Sequence, residues 1–342
     1  MKKEIDIAFA LLRGALDGTA TNIGKTETNQ WWSLFRLLQQ NHVSALVSEV
    51  FSQMSPEEKP PREVLIPWLT ERKKAENWYL HQSKVQQKIV DLMQHNNIDT
   101  LVLKGTHLAQ LYPHPELREF GDIDLYFYDL HDEADTLVKK QLMVNVDNQA
   151  HHHTKYNYQG VTVESHYDFV NRHYPPSNRT YEAMLKELAP SPTFEVLFLL
   201  RHMACHFAAS RITLRDLVDW GLTCRALGAT ADWTVIGNAI KQYGMEPFAS
   251  ALNSISERRL GIKPPLQLEP DPKTVDALEH DIVLGNMANH NGDGLARLGW
   301  KMRRWHALAW KRRLVYSDST FSLWLTSRLS HTTHPRSILH KM

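Results

Sequence analysis

The chain has two cysteines in 342 residues, Cys205 and Cys224. They stand singly, without the paired spacing of a structural zinc site, and they exclude a disulfide framework. Free thiols suit a reducing compartment, so the expected location is cytoplasmic. There is almost no excess of either charge: 39 Lys and Arg face 38 Asp and Glu, for a net charge of +1. No field from the whole molecule therefore draws it to a membrane, and no DNA partner is indicated. Long apolar runs are missing too, and none approaches the roughly 20 residues a bilayer span requires. The opening MKKEIDIAFALLRGAL has two lysines followed by apolar residues, but Glu4, Asp6 and Arg13 interrupt it and no small-residue cleavage site follows. It reads as an amphipathic first helix rather than a secretion signal.

What is present is enough chain for a large core divided into two or three subdomains. Residues 1–96 read as helical. Trp31, Leu34, Phe35 and Leu38 recur at helical spacing, as do Val43, Leu46, Val47 and Val50. Trp31-Trp32 is assigned to the core in preference to a stacking surface. Ser55-Pro56 and Pro60-Pro61 mark loops, and a long helix over 62–96 turns Val85, Ile89, Val90 and Met93 inward. Residues 97–175 change character. Leu101-Val102-Leu103 fits a buried strand ended by Lys104-Gly105; Thr106–Leu111 fits a short helix stopped by Pro113 and Pro115; Asp122–Phe127 is extended. A helix over Asp132–Lys140 follows, packing Ala134, Leu137 and Val138, and then a hairpin from His151 to Phe169 about Gln159-Gly160. Residues 176–342 return to helix, with an apolar Phe194–Phe207 segment and a proline-rich loop at 261–272. The expected fold class is α+β: a small mixed sheet flanked by N-terminal and C-terminal helical regions.

The chemistry concentrates at Leu101–Phe127. Strand alternation puts Asp122 and Asp124 on one face and Ile123 and Leu125 on the other. Two adjacent carboxylates repel unless a cation lies between them, and oxygen-rich pairs of this kind suit Mg²⁺, with Mn²⁺ second. The glycine turn at a helix start offers N–H groups to a phosphate. Two-metal phosphoryl chemistry needs a third carboxylate, and the second hairpin strand offers two, Glu164 and Asp168, on the face shared by Thr162 and His166. His202 and His206, four apart on one helix face, lack the intervening glutamate and third ligand of a zinc site. Arg215 and Asp219 have the spacing of an intrahelical ion pair worth a few tenths of a kcal/mol. Near the end, Lys311-Arg312-Arg313 within an aromatic stretch reads as the solvated face of an amphipathic helix, ahead of a polynucleotide patch.

The segment KGTHLAQLYPHPELREFGDIDLYF resembles the polymerase-β-type nucleotidyltransferase superfamily, with its glycine turn followed by D-x-D. More narrowly it is similar to a bacterial family of uncharacterised nucleotidyltransferases, matching at Lys104, Gly105, Tyr112, Pro113, Arg118, Asp122, Ile123 and Asp124, with Thr106 as the small residue after the glycine. The run Glu164-Ser165-His166-Tyr167 matches that family's acidic-x-His-aromatic strand, which favours Glu164 over Asp168. Arg215 and Asp219 fit its L-R-x-x-x-D helix, and Asp318–Trp324 loosely fits its tail. The resemblance implies a Mg²⁺-dependent enzyme that moves an NMP from an NTP donor to an acceptor hydroxyl on a small molecule, protein or RNA end. Asp122, Asp124 and Glu164 would hold metal. Lys104, Gly105, Thr106, Arg118, His166, Arg215 and Asp219 would serve the nucleotide, and His202 and His206 would line its cleft. The alternatives are a non-catalytic nucleotide-binding protein, a glycosyltransferase using D-x-D, or aspartates that merely cap loops.

Overall fold

The computed structural model describes residues 2–148, 152–285 and 294–333. Four helices come first: α1 (Lys2–Asp17), α2 (Thr28–Gln40), α3 (Ser44–Val47) and α4 (Arg62–Gln94). Glu27 and Gln30 close a capping box at the start of α2, whose buried stripe is Trp31, Leu34, Phe35 and Leu38. Trp31 meets the edges of Phe51 and Trp68, so it belongs to the core. The Val43–Val50 stretch is buried as expected, but α3 lasts a single turn and gives way to a tighter 3₁₀ turn at Ser48–Ser52.

The sheet contains β1 (Leu101–Val102), β2 (Asp122–Tyr126), β3 (His153–Tyr158) and β4 (Val161–His166), with α5 (Thr106–Ala109) and α6 (His131–Leu142) between the strands. The strand order is β1-β2-β4-β3; β2 and β4 run parallel, and the other pairs are antiparallel. The expected buried first strand is a two-residue, half-buried edge strand, because it pairs on one side only. Gln159 and Gly160 both take positive φ, 53° and 83°, the turn that matches the twist of a two-residue hairpin. Ile123, Leu125, Val161 and Val163 cover one face of the sheet and pack on Val85, Ile89 and Met93 of α4 and Ala134 and Val138 of α6. Asp122, Asp124, Glu164 and His166 lie on the opposite face by alternation.

That second face looks toward the C-terminal helices: α7 (Asn178–Leu188), α8 (Pro192–Ala209), α9 (Leu214–Leu227), α10 (Trp233–Gln242), α11 (Glu246–Ile255), α12 (Pro272–Leu284), α13 (Gly294–Ala307), α14 (Ala309–Val315) and α15 (Thr320–Thr333). Ser191 caps α8 and Pro192 sits at its first position, and α8 is buried along nearly its whole length. The larger of two hydrophobic clusters runs from Ile7 in α1 through α8, α9 and α11 to Leu323 in α15. Among the described residues no helix is long and apolar enough to cross a membrane.

The basic run near the end does not form a solvated face. Lys311 is buried, with its ammonium 2.6 Å from both Ser210 O and Asp281 Oδ2. Arg312 is buried over the Trp305 ring, and of the three only Arg313 is exposed. Their long apolar stems make this possible, with the charged ends satisfied internally.

Candidate active site

The carboxylates are fixed by strand register. On parallel neighbours β2 and β4, Asp124 pairs with Glu164, and Asp122 lies one pleat earlier opposite Thr162. One ligand atom each from Asp124, Glu164 and His166 falls within 4.8 Å of the others. His166 Nε2 stands 3.0 Å from Asp124 Oδ1 and 3.8 Å from Glu164 Oε2. Asp168 does not join them. The strand ends at His166, and Asp168 turns aside to Lys186, 3.2 Å away, and Arg172, 3.6 Å away. Geometry thus separates the two candidates for the third carboxylate.

Charges around the cluster are uneven. Burial raises the Asp122 carboxyl above the ordinary aspartate range, and the negative charge of Asp124 pushes it further up. Burial acts the same way on Asp124, but Lys104 Nζ at 3.1 Å and the His166 hydrogen bond outweigh it and hold Asp124 well below that range. Glu164, 15 % exposed, is also buried against its charge, yet His153, His166 and Lys155, the last at 3.1 Å, keep it lowered. His153 itself is pulled down to about 4, mainly by burial. Lys104 also reaches His202 Nε2 at 3.4 Å. Burial first, and then the Lys104 charge, depress His202 well below the usual imidazole value.

Gly105 precedes α5 with φ 55° and ψ −115°, a conformation open to glycine alone. Arg118 holds this turn from behind. Its Nη1 donates to the Gly105 carbonyl at 3.1 Å, while Nε and Nη2 grip Asp219 at 2.8 and 2.7 Å. The Tyr112 hydroxyl also donates to Asp219, at 2.7 Å. All three family-like residues therefore form one buried clamp on the glycine turn.

Several expected contacts are replaced. Arg118 has its guanidinium engaged by Asp219 and Gly105, and it lines the cavity beside them. Asp219 orients Arg118 and not Arg215, whose guanidinium lies 2.9 Å from Asp216 and 3.3 Å from Glu119 O. Arg211, four residues before Arg215, bonds the carbonyls of Gly285 and Gln40. Thr106 donates its hydroxyl to Gln86 of α4 at 2.6 Å and is not on the cavity wall. Three histidines stand in a row at 151–153, and His151 lies outside the described residues.

A cavity of about 330 Å³ opens over this face. Lys104, Gly105, Asp122, Asp124, Glu164 and His166 form one wall, joined by Arg215, His202 and His206. Phe169, Tyr174, Phe198 and Tyr316 add an apolar and aromatic part to the lining. His152, His153 and Lys155 were not singled out from sequence, although the hairpin turn at Gln159-Gly160 places His153 directly opposite His166.

Fold and site define a nucleotidyltransferase-like protein: a mixed sheet with in-register carboxylates beside a glycine turn, closed over by helices. The chain belongs to the family described as uncharacterised nucleotidyltransferase, whose profile matches residues 27–261 and so takes in both the sheet and α9. No curated protein and no solved structure matches it. Membership makes the general activity nucleotidyl transfer, the work of a transferase with a nucleotide donor.

Proposed function

We propose that the protein transfers an NMP from an NTP to an acceptor hydroxyl with the help of Mg²⁺. One observation carries this reading: Asp124 and Glu164 face each other in register on neighbouring parallel strands, with Asp122 one pleat away and Gly105 beside them on the same cavity wall. The donor set fits a hard divalent cation, since burial and then the Asp124 charge raise Asp122, and such a cation would offset both. Bound between Asp122, Asp124 and Glu164, Mg²⁺ would supply charge neutralisation for the triphosphate and the developing transition state.

The chain's own residues have separable tasks. The Gly105 N–H faces the phosphates, with the turn held rigid by Arg118, Asp219 and Tyr112. Lys104 and Arg215 balance phosphate charge from the cavity wall. Glu164 takes the proton from the acceptor hydroxyl as its oxygen bonds to the α-phosphorus and the bond to pyrophosphate breaks. His166, bonded to Asp124, fixes that carboxylate's orientation. The rate then rests on positioning and preset electrostatics.

Incubation with α-labelled ATP, GTP, CTP or UTP and Mg²⁺ tests this against candidate acceptors. Label should transfer, and Asp124→Asn should reduce transfer by about 100-fold or more, the scale of losing a principal electrostatic group. Transfer persisting in that variant overturns the assignment. The non-catalytic reading has one specific support, the Lys104 ammonium already 3.1 Å from Asp124. Calorimetry showing NTP and Mg²⁺ binding without any labelled product would favour it.

A further inference from the structure

We propose that His152, His153 and His166 form a second cation site, imidazole-lined and suited to a borderline transition metal such as Zn²⁺, next to the carboxylate centre. Strand register places His153 and His166 opposite each other on β3 and β4, and His152 immediately precedes β3. One ligand atom from each of the three lies within 4.8 Å of the others. Their ring centroids are 4.6, 5.5 and 5.2 Å apart, with the rings tilted rather than stacked flat.

One nitrogen pair has the separation that a shared metal would require. His153 Nδ1 stands 3.4 Å from His152 Nε2. Two nitrogens, each about 2.1 Å from one tetrahedral zinc, are separated by about 3.4 Å. The far nitrogen of His166, Nε2, is 3.0 Å from Asp124 Oδ1, and that of His153, Nε2, is 3.7 Å from Glu164 Oε1. At His166 the carboxylate on the outer nitrogen holds the proton there and leaves Nδ1 with its lone pair, the arrangement that orients metal-binding histidines. His166 is 4 % exposed, and its Nδ1 has no hydrogen-bond partner among the described residues. A buried ring nitrogen in that state is uncommon and calls for a ligand.

Ligand chemistry separates the two centres. Mg²⁺ selects oxygen donors and several waters, whereas imidazole selects zinc, cobalt, nickel or copper. His152 and His166 also line the cavity, so a cation there keeps an open position toward substrate, as catalytic rather than structural zinc does. The site does not rest on the nucleotidyl-transfer reading.

Co²⁺ titration of the untagged, chelator-stripped full chain, followed by visible absorption, tests the proposal. One Co²⁺ per chain should bind with the intense bands of a low-coordinate nitrogen site, displaced by Zn²⁺ but not by excess Mg²⁺. His152→Asn and His153→Asn should each weaken binding by at least about tenfold, the loss that disturbing even an outer partner brings. Asp122→Asn, and His114→Asn on the surface, should leave it unchanged. Should the buried His153 variant fail to fold, the half-buried His152 variant decides. Unchanged Co²⁺ affinity in His152→Asn, ready displacement by Mg²⁺, or absence of the bands overturns the proposal. Intact Co²⁺ binding without any NMP transfer would sink the catalytic reading alone.

Discussion

Arg118 is 5 % exposed and gives two of its forked N–H groups to Asp219 and a third to the Gly105 carbonyl. A buried pair of this geometry is weak evidence of net stabilisation, but breaking it leaves one charge stranded. Asp219→Ala should therefore cost about 3–5 kcal/mol in denaturant unfolding. Replacing both partners, Arg118→Met with Asp219→Leu, should recover much of that loss while loosening the glycine turn and impairing nucleotide binding. A single-variant cost under about 1 kcal/mol, the range of a surface pair, would contradict the clamp. His202 gives a second prediction at this scale. Burial and the Lys104 charge lower its folded-state value below the unfolded value of about 6.5. The stability contributed by neutral His202 is then present above about pH 6.5 and lost as pH falls from there toward the folded value. Urea midpoints at about pH 7.5 and about pH 5.5 should differ more in the parent than in His202→Gln. Equal pH dependence in the two proteins would show that the imidazole is not disfavoured when charged.

At the scale of elements, the hairpin shows what the sequence did and did not convey. Gln159-Gly160 between alternating strands is a local signal, so the turn and both strands were readable, as was the apolar face of Val161 and Val163. With the turn fixed, His153 and His166 had to be partners, but the signal lay in counting across the turn rather than in any motif. Asp168 was misplaced on the carboxylate face because alternation was extended past His166, where the strand ends. The Arg118–Asp219 contact was unreadable for another reason: the spacing of Arg215 and Asp219 suggested a local pair, and only packing of α9 on the glycine turn supplies a better partner. Gln159 occupies a left-handed conformation unsuited to its side chain, φ 53°. Gln159→Asn, which tolerates that region, should stabilise the protein by about 0.5–1 kcal/mol without altering the site. A neutral or destabilising result would mean that the turn gains from glutamine something other than conformation.

For the whole molecule, helical periodicity made both flanks legible but not their union. Asn41 at the end of α2 donates through Nδ2 to the Val283 carbonyl in α12, 3.1 Å away and buried. Arg259 reaches back to Asp6 of α1 at 2.7 Å and stacks over Phe9. Contacts between residues more than 240 positions apart leave no local trace in composition or spacing, and the same blindness turned buried Lys311 and Arg312 into a supposed surface patch. Because one core joins α1 to α15, the flanks should not melt separately. Trp31 and Trp68 report on the N-terminal helices and Trp220 on α9, all three fully buried. Tryptophan fluorescence and far-UV circular dichroism should then give one coincident unfolding midpoint, the signature of a cooperative unit. Leu12→Ala, a cavity at a fully buried position of α1, should shift both probes together by a loss of about 2–5 kcal/mol. If it melts the N-terminal helices while Trp220 remains in its native environment, the two helical regions are independent bodies, and closure of the cavity by the C-terminal helices does not depend on α1.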